Sequence, residues 1–263
     1  MKCFFAISGQ NNEYFDLIKT LVLSAKKNSN LDLYCIYNNL ECNSLEWLTK
    51  QSVSTLNWEI SFLKDFQNKY DGLTDWNICK GMYLCTELPL VLQYYNISDE
   101  YILYVDVDTI FCGPIELDDI RPHYLSCTPD WALDDWSRYG TGVILMNAYN
   151  MLKKQTEFHE HLKSYNYNFE HMRMGPCDQG AWNSFFHENI EKLDPIYDWK
   201  PWWGINDKAK IIHFAGPKPT FINICVNKLP FNRRYTQIEY LHKLLIDEHI
   251  DSYRYFLKIW ENT

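Results

Sequence analysis

The sequence predicts an α/β domain built on a mostly parallel central sheet. Over the first half of the chain, short runs rich in β-branched and aromatic residues alternate with segments whose apolar residues recur at helical spacing. The run YILYV at 101–105 shows no alternation of polar and apolar residues, which is typical of a central parallel strand covered on both faces. A length of 263 residues with 46% hydrophobic residues suits one large domain with a C-terminal extension.

The first hundred residues supply three predicted strands and two predicted helical segments. CFFAIS reads as a buried strand, and the segment after it has the apolar spacing of a helix, with Ile18, Leu21, Val22 and Ala25 on one face. DLYCIY and LNWEISF predict the second and third strands. ICKGMYLCTELPLVLQYY predicts a helical stretch whose continuity is weakened by Gly81 and Pro89.

The rest of the chain continues the strand pattern and then becomes helical. YILYVD, YLSCT and GVILMN are short β-prone runs bounded by polar, Gly or Pro residues, so each predicts a strand. KIIHFAG at 210–216 predicts the last strand, and it precedes a loop rich in Pro and Lys. From residue 235 onward, YTQIEYLHKLLIDEHIDSYRYFLKIW predicts an amphipathic helical end.

Charge and cysteine usage limit the partners and the compartment. A formal net charge of -9 argues against a nucleic-acid partner, since phosphate backbones need a surplus of Lys and Arg on one face. The nine Cys residues are odd in number, form no C-x-x-C pair, and several lie inside apolar runs, which favours a reducing compartment, the cytosol. The apolar run CFFAI breaks at Ser8 and reads as a strand rather than a signal peptide.

Two carboxylates follow the predicted central strand. Asp106 and Asp108 stand where the ligand crevice of an open α/β sheet lies, beyond the carboxyl ends of its strands. Two residues apart on an extended segment, their side chains point to the same side, and such close like charges are costly unless a cation lies between them. The pair therefore indicates a Mg²⁺ or Mn²⁺ site that holds a phosphate, or else a helix cap or solvated turn.

The motifs around this pair resemble those of a known family. FFAIS with its helix, Lys80, YILYVDVDTIFCGPIEL, GTGVILMN, DQGAWN and KIIHFAGPKP run in one order and span residues 3 to 219. This set resembles the GT-A fold glycosyltransferases, and within them the retaining family 8 that includes glycogenin and the bacterial lipooligosaccharide galactosyltransferases. The resemblance implies a Rossmann-like GT-A catalytic domain over residues 1–222 and a helical C-terminal extension over residues 223–263.

The resemblance also implies which residues bind the metal and the donor. Asp106, Asp108 and His213 would hold Mn²⁺, with Mg²⁺ as the alternative ion. Lys218 and the backbone near Gly216 would receive the diphosphate of a nucleoside diphosphate sugar. The remaining donor contacts fall on Ala6, Ser8, Tyr14, Lys80 and Val107.

Three further residues are assigned to the sugar. Gln179 is expected to orient the transferred sugar and stabilise positive charge on its ring, because an amide is a poor nucleophile. Asp178 is expected to bind sugar hydroxyls, although a helix cap ahead of AWNSFF is an alternative role for it. Asp130 resembles a donor-sugar contact by its position after YLSCT.

The chain departs from the family pattern in three places. Where family members carry an Asp that reads the uracil, this chain has Ser8 or Gln10. Gly140 replaces the first Asn of N-x-G-V-x-x-x-N, and Gly180 replaces the second Asp of DQD. The change at Gly180 bears on the identity of the acceptor.

The expected function is a metal-dependent, retaining transfer of a hexose, from UDP-glucose or UDP-galactose, to a glycan, glycolipid or protein acceptor. Two alternatives remain open. A nucleotidyltransferase or metal-dependent sugar-nucleotide hydrolase also uses paired Asp residues and a divalent cation. A non-catalytic binding relative would account for the three departures from the pattern.

Two aromatic segments each allow two interpretations. YDWKPWW at 197–203 is either a stacking platform for an acceptor sugar or part of the core, and its Asp198 and Lys200 favour a loop. The helical end carries Arg254 and Lys258 beside aromatic residues, so it either lies weakly in a membrane interface or packs on the catalytic domain. We therefore expect a cytoplasmic protein, with peripheral contact to the inner face of a membrane as the further option.

Overall fold

The computed structural model describes residues 1–8, 12–38, 43–62, 64–65, 76–169, 177–231 and 233–263. Its strands are β1 (Lys2–Ile7), β2 (Asp32–Tyr37), β3 (Ser54–Asn57), β4 (Tyr101–Val105), β5 (Thr109–Phe111), β6 (Leu125–Pro129), β7 (Tyr139–Asn147), β8 (Ile190–Lys192) and β9 (Ile211–His213). Its helices are α1 (Asn12–Asn28), α2 (Asn43–Lys50), α3 (Trp76–Leu84), α4 (Leu88–Tyr94), α5 (Ala148–Ser164), α6 (Cys177–Phe186), α7 (Pro219–Val226), α8 (Gln237–Glu248) and α9 (Ile250–Glu261).

The chain forms two compact units, each assembled from separate stretches of sequence. The first contains residues 1–11, 31–107 and 116–193, and the second contains residues 12–30, 108–115 and 194–263.

The first unit is organised around a seven-stranded sheet with the order β3-β2-β1-β4-β7-β6-β8. The pairs β1/β2, β2/β3, β1/β4 and β6/β8 are parallel, whereas β7 runs antiparallel to both β4 and β6. Ile102 and Leu103 of β4 have no exposed surface, as expected for a central strand covered on both faces. The predicted α/β class with a mostly parallel sheet is confirmed.

Two local predictions in the first unit have different outcomes. The helical stretch whose continuity Gly81 and Pro89 weakened is divided near Pro89 and not at Gly81. Helix α3 runs through Gly81 and gives way to a 3₁₀ turn at Cys85–Glu87, and Pro89 lies in the first turn of α4, where a missing N–H is tolerated. The third strand was misplaced by the sequence pattern, since it occupies Ser54–Asn57 rather than LNWEISF. In the described residues its partner β2 ends at Tyr37, whose carbonyl accepts the last hydrogen bond of the pair from the N–H of Trp58.

The second unit contains the antiparallel pair β5/β9, in which Thr109 lies opposite His213. Helix α1 packs on β5, and its Asn28 side chain donates a 2.7 Å hydrogen bond to the carbonyl of Phe111. The predicted helical end is two helices, α8 and α9, separated at His249. Tyr253, Phe256 and Leu257 of α9 are buried, so this helix packs within the unit.

In the described ranges, no helix combines the length and the apolar character that crossing a bilayer would require.

Candidate metal and donor site

Backbone pairing places the two carboxylates that follow β4. The N–H of Asp106 donates a 2.7 Å hydrogen bond to the carbonyl of Gly142 in β7, which extends the β4/β7 ladder by one residue. Two residues on, the carbonyl of Asp108 accepts a 2.9 Å hydrogen bond from the N–H of Phe214, just after β9. The sheet thus determines the backbone position of Asp106, and the β5/β9 pair that of Asp108.

Asp106, Asp108 and His213 form a candidate cation site. Each offers one ligand atom, and the three ligand atoms all lie within 4.8 Å of one another. Two carboxylate oxygens and one imidazole nitrogen form a donor set that suits Mn²⁺ and accommodates Mg²⁺. The residues present therefore fit the divalent ion that the sequence led us to expect.

Asp108 is held ionised by its neighbours. Its carboxylate is only 6% exposed, contacts the Lys218 ammonium, and lies 3.3 Å from Nε2 of His213. Burial alone would raise the pKa of this carboxyl, but the charges of Lys218 and His213 outweigh it and hold the pKa well below its usual value. A carboxylate that stays ionised is ready to bind a cation.

His213 lies between two buried carboxylates. Its Nδ1 lies 2.9 Å from Oδ1 of Asp198, and the other oxygen of Asp198 accepts a 2.7 Å hydrogen bond from Lys200. Burial lowers the pKa of His213, but Asp108 and Asp198 together outweigh that effect and raise the pKa to about 10. Without a metal the ring is therefore protonated at neutral pH, so a cation must displace a proton from it.

Asp198 and Lys200, whose charges favoured a loop over the core, are buried. Asp198 is 0% exposed and Lys200 is 1% exposed, and Lys200 also lies 4.4 Å from the centre of the Trp203 ring. Tyr197 and Trp199 are buried as well, which favours the core interpretation for that part of the aromatic segment. The physical reason is mutual compensation, since each charge has an opposite charge within hydrogen-bonding distance.

Lys218 and Gly216 lie in the turn that leads into α7. Lys218 is the N-cap residue of this helix, and its ammonium contacts Asp108 and lies 3.2 Å from the carbonyl of Phe214. Gly216 has a φ of +79°, a conformation that favours glycine, and a Cβ there would lie 3.4 Å from Nε2 of His242. This turn therefore presents a cation and unhindered backbone beside Asp108.

A second cluster in the first unit surrounds Asp106 and Asp178. The Tyr104 hydroxyl donates a 3.0 Å hydrogen bond to Asp106, and Thr141 donates a 3.3 Å hydrogen bond to Asp178. Cys85 Sγ lies 3.7 Å from the Asp178 carboxyl. Burial, reinforced by the charge of Asp106, raises the pKa of Asp178 to about 8, so this carboxyl is largely neutral at pH 7.

Helix α6 is fixed on the sheet by one buried amide. Asn183 exchanges two 2.8 Å hydrogen bonds with the backbone of Tyr139 in β7, and it donates a 2.9 Å hydrogen bond to the carbonyl of Gln179. Asp178 and Gln179 lie in the first turn of this helix and are partly buried. The amide of Asn183 thus connects the first turn of α6 to β7.

The other expected site residues belong to several elements. Asp130, at the end of β6, forms an ion pair with Arg138. Ala6 is buried in β1, Ser8 follows that strand, and Tyr14 lies in the first turn of α1. Lys80 lies in α3, and Val107 lies between the two aspartates. Gln10 lies outside the described residues.

Sequence reasoning missed five residues of these clusters. Tyr104 could have been found, because it lies two residues before Asp106 on a strand and so shares its side of the sheet. Asp198 and Lys200 carry no such signal, since each depends on a partner that only the fold brings near. The same holds for Cys85 and Thr141 beside Asp178.

Comparison with known proteins connects this geometry to one fold. No family model and no curated protein matches the chain. Among solved structures, the galactosyltransferase LgtC with donor and acceptor sugar analogues matches with a TM-score of 0.58 at 14% identity, over 83% of this chain and 89% of LgtC. Mouse xyloside xylosyltransferase 1 matches with a TM-score of 0.56 at 12% identity, over 81% of this chain and 97% of that one.

A third match extends further along this chain. The glycosyltransferase GlyE of Streptococcus pneumoniae TIGR4 has a TM-score of 0.58 at 14% identity and covers 100% of this chain, which corresponds to 63% of GlyE. Similarity at identities this low shows the fold alone. The chain has the fold of the GT-A glycosyltransferases.

Proposed function

We propose that this protein is a metal-dependent, retaining glycosyltransferase that moves a hexose from a nucleoside diphosphate sugar, UDP-glucose or UDP-galactose, to a glycan, glycolipid or protein acceptor. The observation that carries the proposal is the convergence of Asp106, Asp108 and His213 in a chain with this fold. A GT-A fold alone would fit a binding protein. The three ligand atoms, together with a cation beside them at Lys218, favour chemistry on a diphosphate.

Asp106, Asp108 and His213 would hold Mn²⁺, with Mg²⁺ as the alternative. A divalent ion bound there supplies positive charge that stabilises the negative charge developing on the departing diphosphate. Asp108 stays ionised because Lys218 and His213 lower its pKa. Asp106 is oriented by the Tyr104 hydroxyl, which donates to one of its oxygens.

Lys218 would bind the diphosphate directly. Its ammonium already lies beside Asp108, at the N-terminus of α7, where backbone N–H groups also favour an anion. A diphosphate oxygen would take the place of Asp108 as a negatively charged partner of the ammonium. Gly216 leaves the backbone of the same turn open to close approach, because it has no side chain.

The first turn of α6 would contact the transferred sugar. The carboxyl of Asp178, with its pKa near 8, can donate as well as accept hydrogen bonds, which suits a sugar hydroxyl. Gln179 would orient the sugar ring and stabilise positive charge on it. Asp130 would contact the donor sugar, and Ala6, Ser8, Tyr14, Lys80 and Val107 would complete the donor site.

We further propose that residues 1–222 form the catalytic domain and residues 223–263 its extension, and that the protein works in the cytoplasm. Among the described residues, six cysteines are free thiols, which is the state that a reducing compartment maintains. Contact with a membrane would be weak and peripheral, since the aromatic residues of α9 are largely used in packing.

A screen of nucleotide sugars with Mn²⁺ tests the function. We expect one donor to stand out by metal-dependent release of free nucleoside diphosphate. Asp106→Asn and Asp108→Asn should each reduce that release to background, while Asp119→Asn, an exposed position in the same stretch, should leave it unchanged. Release of pyrophosphate instead would favour a nucleotidyltransferase, and retention of most activity in either site variant would refute the assignment of the two aspartates.

A further inference from the structure

A buried ion pair lies directly behind the candidate metal ligand His213. Asp198 and Lys200 are 0% and 1% exposed, and their charged atoms lie 2.7 Å apart. Placing two charges in the interior contributes little or nothing to stability compared with an apolar pair of the same volume. The pair therefore calls for a reason other than folding, and the contact of Asp198 with His213 suggests one.

That contact determines which nitrogen of His213 faces the metal site. Oδ1 of Asp198 lies 2.9 Å from Nδ1, and an ionised carboxylate can only accept a hydrogen bond, so Nδ1 carries a hydrogen. Nε2 lies on the other side of the ring, 3.3 Å from the carboxylate of Asp108. The ring is thus turned so that Nε2 is the nitrogen available to a cation.

Backbone pairing keeps Asp198 in register with the histidine. The N–H of Trp199 donates a 2.9 Å hydrogen bond to Ile211, and the N–H of His213 donates a 2.9 Å hydrogen bond to Trp199. These two bonds form a parallel bridge that sets the residue before Trp199 beside the His213 ring. Lys200 then occupies the second oxygen of Asp198 and leaves Oδ1 to the imidazole.

We propose that Asp198, held by Lys200, is a positioning residue that fixes the ring orientation and tautomer of His213 so that Nε2 binds the divalent ion. This inference rests on the proposed metal site and adds to it two residues outside the ligand set. Partners of this kind behind a metal-bound histidine typically contribute 10- to 100-fold in metal affinity.

The test compares two double variants, because removing Asp198 alone would take away the carboxylate partner of the buried Lys200. Asp198→Leu/Lys200→Met replaces the pair by apolar side chains and removes the carboxylate that accepts from Nδ1. Asp198→Asn/Lys200→Met is equally uncharged but keeps an amide oxygen that can accept the hydrogen bond. Thermal unfolding of both proteins, with Mn²⁺ omitted, verifies that each is folded.

The readout is binding of Mn²⁺ alone, followed by the electron paramagnetic resonance signal of the free ion, with no nucleotide sugar present. We expect the Leu/Met variant to bind Mn²⁺ about 10- to 100-fold more weakly than the wild type, and the Asn/Met variant to recover most of that loss. Affinity of the Leu/Met variant within about twofold of the wild type, or equal weakness of the two variants, would overturn the proposal.

Asp108→Asn separates this inference from the proposed function. If the metal site is correct, this variant loses Mn²⁺ binding whether or not Asp198 has a positioning role. Failure of Asp108→Asn to change binding would refute the metal site, and the positioning role with it. Loss of binding in Asp108→Asn with unchanged binding in the Leu/Met variant would refute the positioning role alone.

Discussion

At the scale of single residues, Asp178 is unusual because it lies in the first turn of a helix and still resists ionisation. Helix N-termini favour a negative charge, but burial and the neighbouring charge of Asp106 prevail and raise the pKa of Asp178 from its ordinary 3.8 to about 8. Between these two values, the folded protein keeps a proton that the unfolded chain has lost. The free energy of unfolding must therefore fall as the pH rises from about 4 to 8.

Asp178→Asn should remove this pH dependence. One such group changes the free energy of unfolding by up to about 1.4 kcal/mol per pH unit. The wild type should therefore lose stability between pH 5 and 8, and the variant should lose measurably less. Urea unfolding at several pH values in EDTA measures the difference. Asp251→Asn, also in the first turn of a helix but with an 83% exposed side chain, is the control that should follow the wild type. If the stability of Asp178→Asn and of the wild type changed equally with pH, the raised pKa would be contradicted.

Lys218 allows a kinetic prediction. If its ammonium stabilises the departing diphosphate, Lys218→Ala should lower kcat by roughly 10²-fold or more, as losing one charge-stabilising donor typically does. Lys208→Ala, an exposed lysine in the same unit, should leave kcat unchanged. Steady-state kinetics with the donor identified by the screen provide the measurement. An effect confined to the KM of the acceptor would place Lys218 outside the donor site.

The three side chains of the candidate metal site were predicted from the sequence, whereas Asp198 and Lys200 beside them were not. Asp106 and Asp108 follow an apolar run that is typical of a buried central strand, and the resemblance added His213 and Lys218. Asp198 and Lys200 lie among aromatic residues and prolines, where charges normally indicate a loop. Their burial depends on a bridge between Trp199 and Ile212, a pairing that local sequence patterns do not specify.

At the scale of elements, α3 approaches the end of β1 closely at Gly81. A Cβ added to Gly81 would lie 2.2 Å from Oγ of Ser8. Alanine normally stabilises a helix by about 1 kcal/mol relative to glycine. Here Gly81→Ala should instead destabilise the protein by about 1–3 kcal/mol, because the helix or the Ser8 side chain must move.

A variant that lacks the Ser8 side chain tests whether the close contact between Gly81 and Ser8 causes that destabilisation. Ser8→Gly removes the obstructing side chain, so adding Gly81→Ala to it should be neutral or stabilising by up to about 1 kcal/mol. Chemical denaturation of the two single variants and the double variant measures the coupling between the sites. Additive effects would show that the close approach of α3 and β1 is not the cause.

The shortest elements were the least predictable. β5 and β8 have three residues each, too few for a periodicity to be recognised, and each pairs with a partner strand. The equally short β9 was predicted, because it lies within the apolar run KIIHFAG. Longer buried strands such as β4 and β7 were recognised from their apolar residues alone. The boundary of β3 was misplaced for a similar reason, since it is set by where β2 ends.

At the scale of the whole molecule, the helical end of the chain belongs to the second unit. Tyr253 and Phe256 are fully buried, and the ring of Trp260 lies edge-on to Phe214, 5.9 Å away. By contrast, Ile238, Leu241 and Leu244 of α8 are exposed. The aromatic residues of α9 that suggested contact with lipid are thus largely engaged in the protein's own core.

Phe256→Ala should therefore destabilise the protein by about 3–5 kcal/mol, as large-to-small changes at buried aromatic positions do. Leu241→Ala, which is 56% exposed, should change stability by no more than about 0.5 kcal/mol. Thermal and chemical unfolding of both variants provide the comparison. A wild-type stability for Phe256→Ala would mean that α9 is free of the core and available for other contacts.

The three stretches of sequence that form the second unit are synthesised at different times. Lys218 follows Asp108 by 110 residues, so at the usual 5–20 residues per second the ribosome needs roughly 5–20 s between making one and making the other. During that interval α1 and β5 have left the ribosome, while β9 and the helices that complete their core do not yet exist. These early segments therefore remain without most of their core partners until residues 194–263 have been made.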